Sequence, residues 1–379
     1  MLAAPAVAPA TILGVLAAIT APLSPPVAQV LGTLGGLPAW WIVTLAQTGS
    51  KVPGGTLTWP DGPGGAAALV GALLLVVVVG PPLVTGVRRR VGDGPAGVGA
   101  VAVLVGLLVL PAPGFLPGFS AWPPRGWVMV ACDVGQGDAL VLSTGGAGAV
   151  VIDAGPDPDS VDRCLRDLDV EHVALLVLTH PHADHVDGVP GVLRGRRVAE
   201  IQLGPLDEPP EQAARVRQWA ARADIPVRRV RWGEQRATGG LRWEVLWPAR
   251  VIDAGSPANN ASIVVLAESG GLRMLLTGDV ETEAQAAMLA RIRSDRVAGI
   301  DVLKVPHHGS SRQDPALLAT LRPRAAVVSV GADNDYGHPA PRLMRALTER
   351  GAVVGRTDRD GDIAVVGPAD ALRLVPRGR

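Results

Sequence analysis

One stretch decides the fold: Thr179-His180-Pro181-His182-Ala183-Asp184-His185-Val186-Asp187-Gly188. It directly follows residues 173–178, a short apolar run rich in valine and leucine, which predicts a buried strand that ends where the polar cluster begins. In open α/β architectures the chemistry lies in loops at strand ends. Three of the seven histidines of the chain fall within six residues here. This density favours a metal site over a helix cap with surface histidines.

The distribution of charge divides the chain into two parts. Residues 1–119 carry only four basic and two acidic residues, whereas the remainder has the charge density of an ordinary globular domain. Long apolar runs at 6–24, 66–87 and 96–113 approach the roughly 20 residues that a bilayer-spanning helix needs, and they predict a lipid bilayer as partner. Residues 27–47 carry apolar side chains at helical spacing and two adjacent tryptophans, which predicts an interfacial helix.

A basic cluster, Arg88-Arg89-Arg90, sets the expected topology because such clusters stay in the cytoplasm. The chain is then a multi-pass protein of the cell membrane, and everything after Pro113 is extracytoplasmic. We expect a membrane region at 1–113, a Pro-rich linker at 114–125 and a folded domain at 126–379. The two cysteines, Cys132 and Cys164, are too few for a disulfide framework, and they leave the redox compartment open.

Short strands and amphipathic helices alternate from residue 126 onward. Strands are predicted at 127–134, 139–144, 149–153, 173–179, 198–203, 227–232, 242–247, 262–267, 272–277, 300–305, 325–330 and 363–366. Helices are predicted at 158–168, 210–224, 281–294, 314–321 and 341–350. Two runs of strands interleaved with helices predict an α/β domain in which two sheets pack face to face with helices outside. This domain would follow an α-helical transmembrane segment.

Other predicted strand ends also carry groups that suit a metal site. Asp153 and Asp279 each follow an apolar run, and a third run ends in Lys304-Val305-Pro306-His307-His308. A last histidine, His338, lies in Tyr336-Gly337-His338-Pro339. Taken singly, an aspartate at a turn or a lysine at a strand end is equally typical of an ordinary surface. Together with the histidine loop, these groups indicate one shared site.

The histidine loop resembles the H-x-H-x-D-H signature of the metallo-β-lactamase superfamily. Three further motifs narrow the resemblance to the ComEC family of DNA-uptake competence proteins. They are Asp133-Val134-Gly135-Gln136-Gly137-Asp138-Ala139, the Lys304-x-x-His307-His308-Gly309-Ser310 segment and Tyr336-Gly337-His338-Pro339. The resemblance implies an αββα metallo-β-lactamase sandwich, with the apolar runs before it matching the end of the channel domain of that family.

The resemblance also implies a set of ligands for two divalent metal ions. His180 and His182 would hold the first ion, while Asp184, His185 and His307 hold the second, and Asp279 bridges them. Lys304, His308 and His338 would contact phosphate, Asp184 would accept a proton, and Asp153 would buttress the loop. The superfamily usually supplies another histidine where this chain has Asn260. An amide oxygen is a poorer zinc ligand, which tilts the expected metal from Zn²⁺ toward Mn²⁺ or Mg²⁺.

These expectations lead to one principal function and two alternatives. The principal one is a membrane-tethered, metal-dependent phosphodiesterase or nuclease domain of a DNA-uptake channel, with single-stranded DNA and other components of the competence machinery as partners. The alternatives are a membrane-anchored hydrolase of small esters, thioesters or β-lactams, and a non-catalytic channel domain that guides DNA. Arg228, Arg229 and Arg231 form a basic stripe that suits either a DNA strand or an ordinary solvated face.

Overall fold

A computed structural model describes residues 4–22, 24–49, 122–292 and 297–378. The chain divides into two units, Met1–Gly118 and Phe119–Arg379. The first unit contains helix α1 (Ala4–Thr20) and helix α2 (Pro25–Gly49). The membrane spans expected at 66–87 and 96–113, and most of the expected linker, lie outside the described residues.

Among the described residues, α2 is the helix with the length and composition to cross a membrane. Its stretch Pro25–Leu45 has 21 residues and a mean hydropathy of 1.3. The apolar part of α1, Ala6–Thr20, is shorter. The sequence assigned the crossing to 6–24 and an interfacial position to 27–47, whereas by length and composition α2 is the longer candidate for a crossing.

The second unit alternates strands and helices along the chain. Its strands are β1 (Trp127–Ala131), β2 (Leu140–Gly145), β3 (Gly148–Ile152), β4 (His172–Leu178), β5 (Arg197–Val198), β6 (Ile201–Leu203), β7 (Val227–Arg229), β8 (Gln235–Thr238), β9 (Leu241–Trp247), β10 (Val264–Ser269), β11 (Leu272–Leu276), β12 (Val302–Lys304), β13 (Ala325–Val328), β14 (Val353–Arg356), β15 (Ile363–Val366) and β16 (Arg373–Pro376). Its helices are α3 (Pro158–Asp167), α4 (Ala183–Val186), α5 (Val189–Leu193), α6 (Pro210–Arg222), α7 (Pro257–Asn260), α8 (Thr282–Arg291), α9 (Pro315–Leu321), α10 (Pro341–Glu349) and α11 (Thr357–Asp360).

The strands form two sheets. The first has the order β16-β15-β1-β2-β3-β4-β6-β7, with β5 also paired to β4, and the second has the order β14-β13-β12-β11-β10-β9-β8. In the first sheet β3 runs parallel to β4, and in the second β11, β12 and β13 run parallel to one another. Because the carboxyl ends of parallel strands lie at one edge of a sheet, the loops that follow these strands gather there.

Alternating side chains along the strands separate three hydrophobic cores. On β1, Met129 packs in the core between the sheets, while Val130 packs with Val161 of α3. On β11, Met274 faces the other sheet, and Leu275 belongs to a core shared with α8, α9 and α10. Period-two alternation therefore gives each sheet an inner and an outer apolar face. The predicted αββα sandwich is confirmed.

The structure adds three strands that the sequence analysis did not predict. They are β8, β14 and β16, and each lies at the end of a sheet. Edge strands are short and carry polar or charged side chains because one side of their backbone lacks a partner strand. The apolar alternation that identifies a central strand is therefore weak in them.

Cys132 and Cys164 form a disulfide bond, a pairing that the sequence analysis left open. Cys132 directly follows β1 on its outer face, and Cys164 lies on the buried face of α3, in the same core. The packing of α3 on the sheet brings the two sulfurs together. Their separation of 32 residues in the sequence gave no sign of this contact.

Removing the disulfide should destabilise the domain. Cys132→Ala with Cys164→Ala is expected to lower the free energy of unfolding by about 2–4 kcal/mol, because the bond closes a long loop in the unfolded chain. Urea denaturation of the full chain in detergent, followed by tryptophan fluorescence, measures the change. The reduced wild type should match the double variant, and equal stability of all three proteins would contradict the bond.

Candidate metal centre

The predicted site residues lie in loops at the carboxyl ends of parallel strands. His180 and His182 follow β4, and Asp184 and His185 lie in the short helix α4. Asp279 follows β11 in the second sheet. The remaining two segments, His307-His308 and His338, lie in the loops after β12 and β13. Both sheets therefore contribute to one site, as the sequence predicted from separate strand ends.

Four side chains converge at the centre of this site: Asp184, His185, Asp279 and His308. Their ligand atoms lie within 4.8 Å of one another. The Nε2 atom of His308 is 3.2 Å from Asp184 Oδ2 and 3.2 Å from Asp279 Oδ2. The Nε2 atom of His185 is 3.3 Å from Asp279 Oδ2. Two imidazoles and two carboxylates facing one point are a suitable ligand set for a divalent transition metal ion.

The hydrogen bonding of these side chains fits a metal site. His185 Nε2 and Asp279 Oδ1 are buried, and neither makes a hydrogen bond within the described residues. The opposite nitrogen of each imidazole is occupied: His185 Nδ1 lies 2.8 Å from Asp153, and His308 Nδ1 lies 3.0 Å from the Ser329 carbonyl. Such contacts fix the ring so that its other nitrogen can coordinate a metal.

His308, rather than His307, belongs to this cluster. The two residues lie in the turn Pro306–Gly309 with φ angles of 50° and 52°, a left-handed conformation that is rare outside glycine. This turn directs the His308 ring inward. It leaves His307 Nε2 3.9 Å from Asp279 and His307 Nδ1 3.4 Å from Glu281. The arrangement therefore favours His308 over the predicted His307 as the ligand from this segment.

His180 and His182 form a second group beside the cluster. His180 Nε2 lies 2.9 Å from His182 Nδ1, within hydrogen-bonding distance. The opposite nitrogen, His180 Nδ1, lies 3.2 Å from Ser262 Oγ, which also accepts a hydrogen bond from the Asp279 N–H. Ser262 thus links the histidine loop to the second sheet, a role that the sequence analysis did not predict.

Asn260 does not take the place of the missing histidine. Its Oδ1 atom accepts a hydrogen bond from the Glu281 N–H, and its Nδ2 atom donates to the Ala254 carbonyl. The amide is therefore used to hold its own loop. The expectation that Asn260 offers a metal ligand is wrong for this arrangement.

Lys304 does not contact a substrate, contrary to its predicted role. Its side chain is fully buried and forms an ion pair with Asp138, and Nζ lies 3.7 Å from Asp279. A buried ammonium is stable only with such partners. Lys304 therefore lies beneath the site, where its charge offsets that of the carboxylates. Asp138 Oδ1 also lies 3.3 Å from His308 Nδ1. The sequence analysis did not assign Asp138 to the site, because the sequence of a motif does not show whether its aspartate is buried.

His338 lies at the open side of the site. Its ring centroid is 5.4 Å from that of His307 and 6.5 Å from that of His308, and its side chain is partly exposed. Burial, followed by the imidazoles of His307 and His308, lowers the pKa of His338 to about 4. The predicted position next to a substrate therefore suits a neutral imidazole.

Charge is concentrated in the cluster. Burial alone would raise the pKa of Asp279, but the imidazoles of His308 and His185 hold it well below its usual range. Burial acts to lower the pKa of those two imidazoles, but Asp279 and neighbouring carboxylates raise it well above its ordinary value. The cluster thus attracts positive charge, and a metal ion that binds there must displace protons.

Asp153 supports the histidine loop. Its carboxylate accepts hydrogen bonds from the Thr179 N–H at 2.7 Å and the Thr179 hydroxyl at 2.8 Å, in addition to its contact with His185.

Asp153→Asn keeps the shape of the side chain but removes the negative charge behind the His185 ring. We expect metal affinity to fall about 10–100-fold. Metal titration by calorimetry measures this loss, and an unchanged affinity would remove Asp153 from the site.

Comparison with known proteins agrees with the predicted fold family. The family model of the metallo-beta-lactamase superfamily matches residues 132–331, and this chain belongs to that superfamily. The predicted resemblance to the ComEC family of competence proteins is confirmed by curated relatives. ComE operon protein 3 of Bacillus subtilis is 29% identical over 255 residues, which are 61% of this chain and 32% of that protein. Competence protein ComA of Neisseria gonorrhoeae is 24% identical over 246 residues, 64% of this chain and 32% of that protein.

The chain spans about a third of the length of the curated relatives it matches. Among solved structures, Zn²⁺-bound PqqB from Methylobacterium extorquens is similar, with 16% identity and a TM-score of 0.39. The similarity covers 58% of this chain and 85% of that one.

Proposed function

We propose that this chain is a membrane-tethered, metal-dependent phosphodiesterase that cleaves DNA as part of a DNA-uptake apparatus. The observation that carries the proposal is the convergence of Asp184, His185, Asp279 and His308 at the shared edge of the two sheets, in a relative of competence proteins. We propose the domain limits that the sequence predicts: membrane region 1–113, linker 114–125 and hydrolase domain 126–379.

The proposed metal ligands are the four side chains of the cluster, with His180 and His182 holding a second ion. Divalent ions held there would supply Lewis acidity to a phosphodiester. Asp184, whose side chain is 32% exposed, is the carboxylate of the cluster that water reaches, and it is placed to accept a proton from an attacking water. His338 borders the same opening, where its neutral imidazole would donate a hydrogen bond to a phosphate oxygen.

The arginine stripe contributes less to DNA binding than its sequence suggests. Arg228 lies 3.6 Å from Glu200, and Arg229 forms an ion pair with Asp207. Two of the three charges are therefore offset by carboxylates, which weakens the attraction to phosphate. The proposed contact with single-stranded DNA accordingly rests on the metal centre and its surroundings.

We propose that the hydrolase domain is extracytoplasmic. The Cys132–Cys164 disulfide supports this location, because such bonds persist in oxidising compartments and are rare in the cytosol. Protease added to intact spheroplasts should digest the domain. Digestion only after lysis would place the domain in the cytoplasm.

The nuclease proposal can be tested with the full chain in detergent. The protein is stripped with a chelator, reloaded with Mn²⁺, Mg²⁺ or Zn²⁺, and incubated with labelled single-stranded DNA. We expect cleavage that depends on added metal. Bound metal without DNA cleavage would favour the hydrolysis of other esters, tested with thioester and β-lactam substrates. The absence of both metal binding and cleavage would leave a domain that only guides DNA.

A further inference from the structure

Tyr336, the single tyrosine of the chain, has a highly exposed ring close to the metal centre. Its exposure is 73%, the largest of the exposed large hydrophobic side chains in the described part of the chain. The ring stacks on His338 with a centroid distance of 5.8 Å and an interplanar angle of 27°. The ring of His338 lies 6.5 Å from that of His308, which belongs to the metal cluster. The rings of His308, His338 and Tyr336 therefore form a row from the cluster toward solvent.

The loop that carries Tyr336 is held in place by its own hydrogen bonds. Asn334 Nδ2 donates to the carbonyls of Gly331 and His338 at 2.7 and 3.0 Å, and Asn334 Oδ1 accepts from the His338 N–H. The Gly331 N–H donates to the side chain of Gln136 at 3.2 Å, which ties the loop to the first sheet. The exposed ring is thus presented on a braced segment, so its binding surface loses little conformational freedom when a ligand stacks on it.

We propose that Tyr336 stacks on an unpaired nucleobase next to the phosphodiester at the metal centre, and that the site thereby selects single-stranded nucleic acid. An exposed aromatic face beside a phosphate site suits a base, because every base has a π-face and stacking tolerates any sequence. A paired base inside a duplex stacks on its neighbours and cannot offer that face. This inference deepens the proposed function and rests on the same site.

Binding measurements without cleavage test the inference. The full chain in detergent, loaded with Mn²⁺, is titrated with a labelled single-stranded oligonucleotide that carries non-hydrolysable linkages and with an abasic oligonucleotide of equal length and linkage, followed by fluorescence anisotropy. Tyr336→Ala should weaken binding of the normal strand about tenfold, as expected for the loss of one stacked base. Its affinity for the abasic strand should equal that of the wild type. Tyr336→Phe, which keeps the ring, should bind both strands like the wild type.

Trp232→Ala provides a matched control. Trp232 is 54% exposed and lies on the loop after β7, and within the described residues its ring is not among the contacts of Tyr336 and His338. Its removal should leave the ratio of normal to abasic affinity unchanged. Equal affinity of Tyr336→Ala and wild type for the normal strand, or an equal loss with the abasic strand, would overturn the inference. Base-dependent binding of the non-hydrolysable strand, together with no cleavage of an ordinary strand, would instead contradict the nuclease proposal. The stacking inference would then still hold.

Discussion

Asp279→Ala should reduce metal-dependent cleavage of single-stranded DNA about a thousandfold or more. Coordination to a metal contributes several kcal/mol to hydrolysis, and each factor of ten corresponds to about 1.4 kcal/mol. Asp279 is the carboxylate shared by His185 and His308, so its loss removes the central ligand of the cluster. Initial rates measured across a range of Mn²⁺ concentrations, with metal content from elemental analysis, give both effects.

Asp370→Ala serves as the control for this variant. Asp370 is exposed in the 3₁₀ turn Ala369–Ala371 and is not part of the cluster. Replacing it with alanine removes one negative charge, as Asp279→Ala does. It should keep wild-type rates and metal content. A fully active Asp279→Ala protein would refute the proposed mechanism. Lost activity with retained metal would restrict Asp279 to a role in substrate binding.

Lys304→Met should destabilise the hydrolase domain by about 3–5 kcal/mol, because removing one partner leaves a buried charge uncompensated. The charge left behind is that of Asp138, which is fully buried with Lys304 as its ion-pair partner. Burial would raise the pKa of Asp138, but Lys304 and then His308 hold it below its usual value. Urea denaturation of the full chain in detergent measures the loss of stability.

The double variant Lys304→Met with Asp138→Asn separates charge from packing. Replacing both partners of a buried ion pair is often much less costly than breaking it. The double variant should therefore recover more than half of the stability lost in Lys304→Met. If the two proteins are equally unstable, the aliphatic part of Lys304, rather than its ammonium group, supports the core.

The parts of the site that are local in sequence could be predicted. His180, His182, Asp184 and His185 occupy one turn, so their proximity required only a strand that ends before them. Their meeting with Asp279 was implied by the resemblance to the metallo-β-lactamase superfamily, since the Thr-Gly-Asp tripeptide alone is weak evidence. The αββα fold could be predicted from the alternation of strands and helices, although the short edge strands β8, β14 and β16 were not predicted.

The parts that depend on long-range packing could not be predicted. His307 and His308 are adjacent and chemically identical, and only a left-handed turn decides which ring points inward. The burial of Lys304 was not predicted because its ion-pair partner, Asp138, lies 166 residues earlier in the sequence, beside a strand of the other sheet. The disulfide likewise depends on how α3 packs, a relation that two isolated cysteines do not encode.

The left-handed turn at His307 and His308 places stability and metal binding in conflict. A side chain with a Cβ atom in this conformation costs about 1–2 kcal/mol at each position, a cost that glycine does not incur. A search for thermostable variants would therefore be drawn toward glycine at both positions. Glycine at position 308 would also remove the ring that we propose as a metal ligand, so we expect a more stable variant of this kind to lose metal affinity.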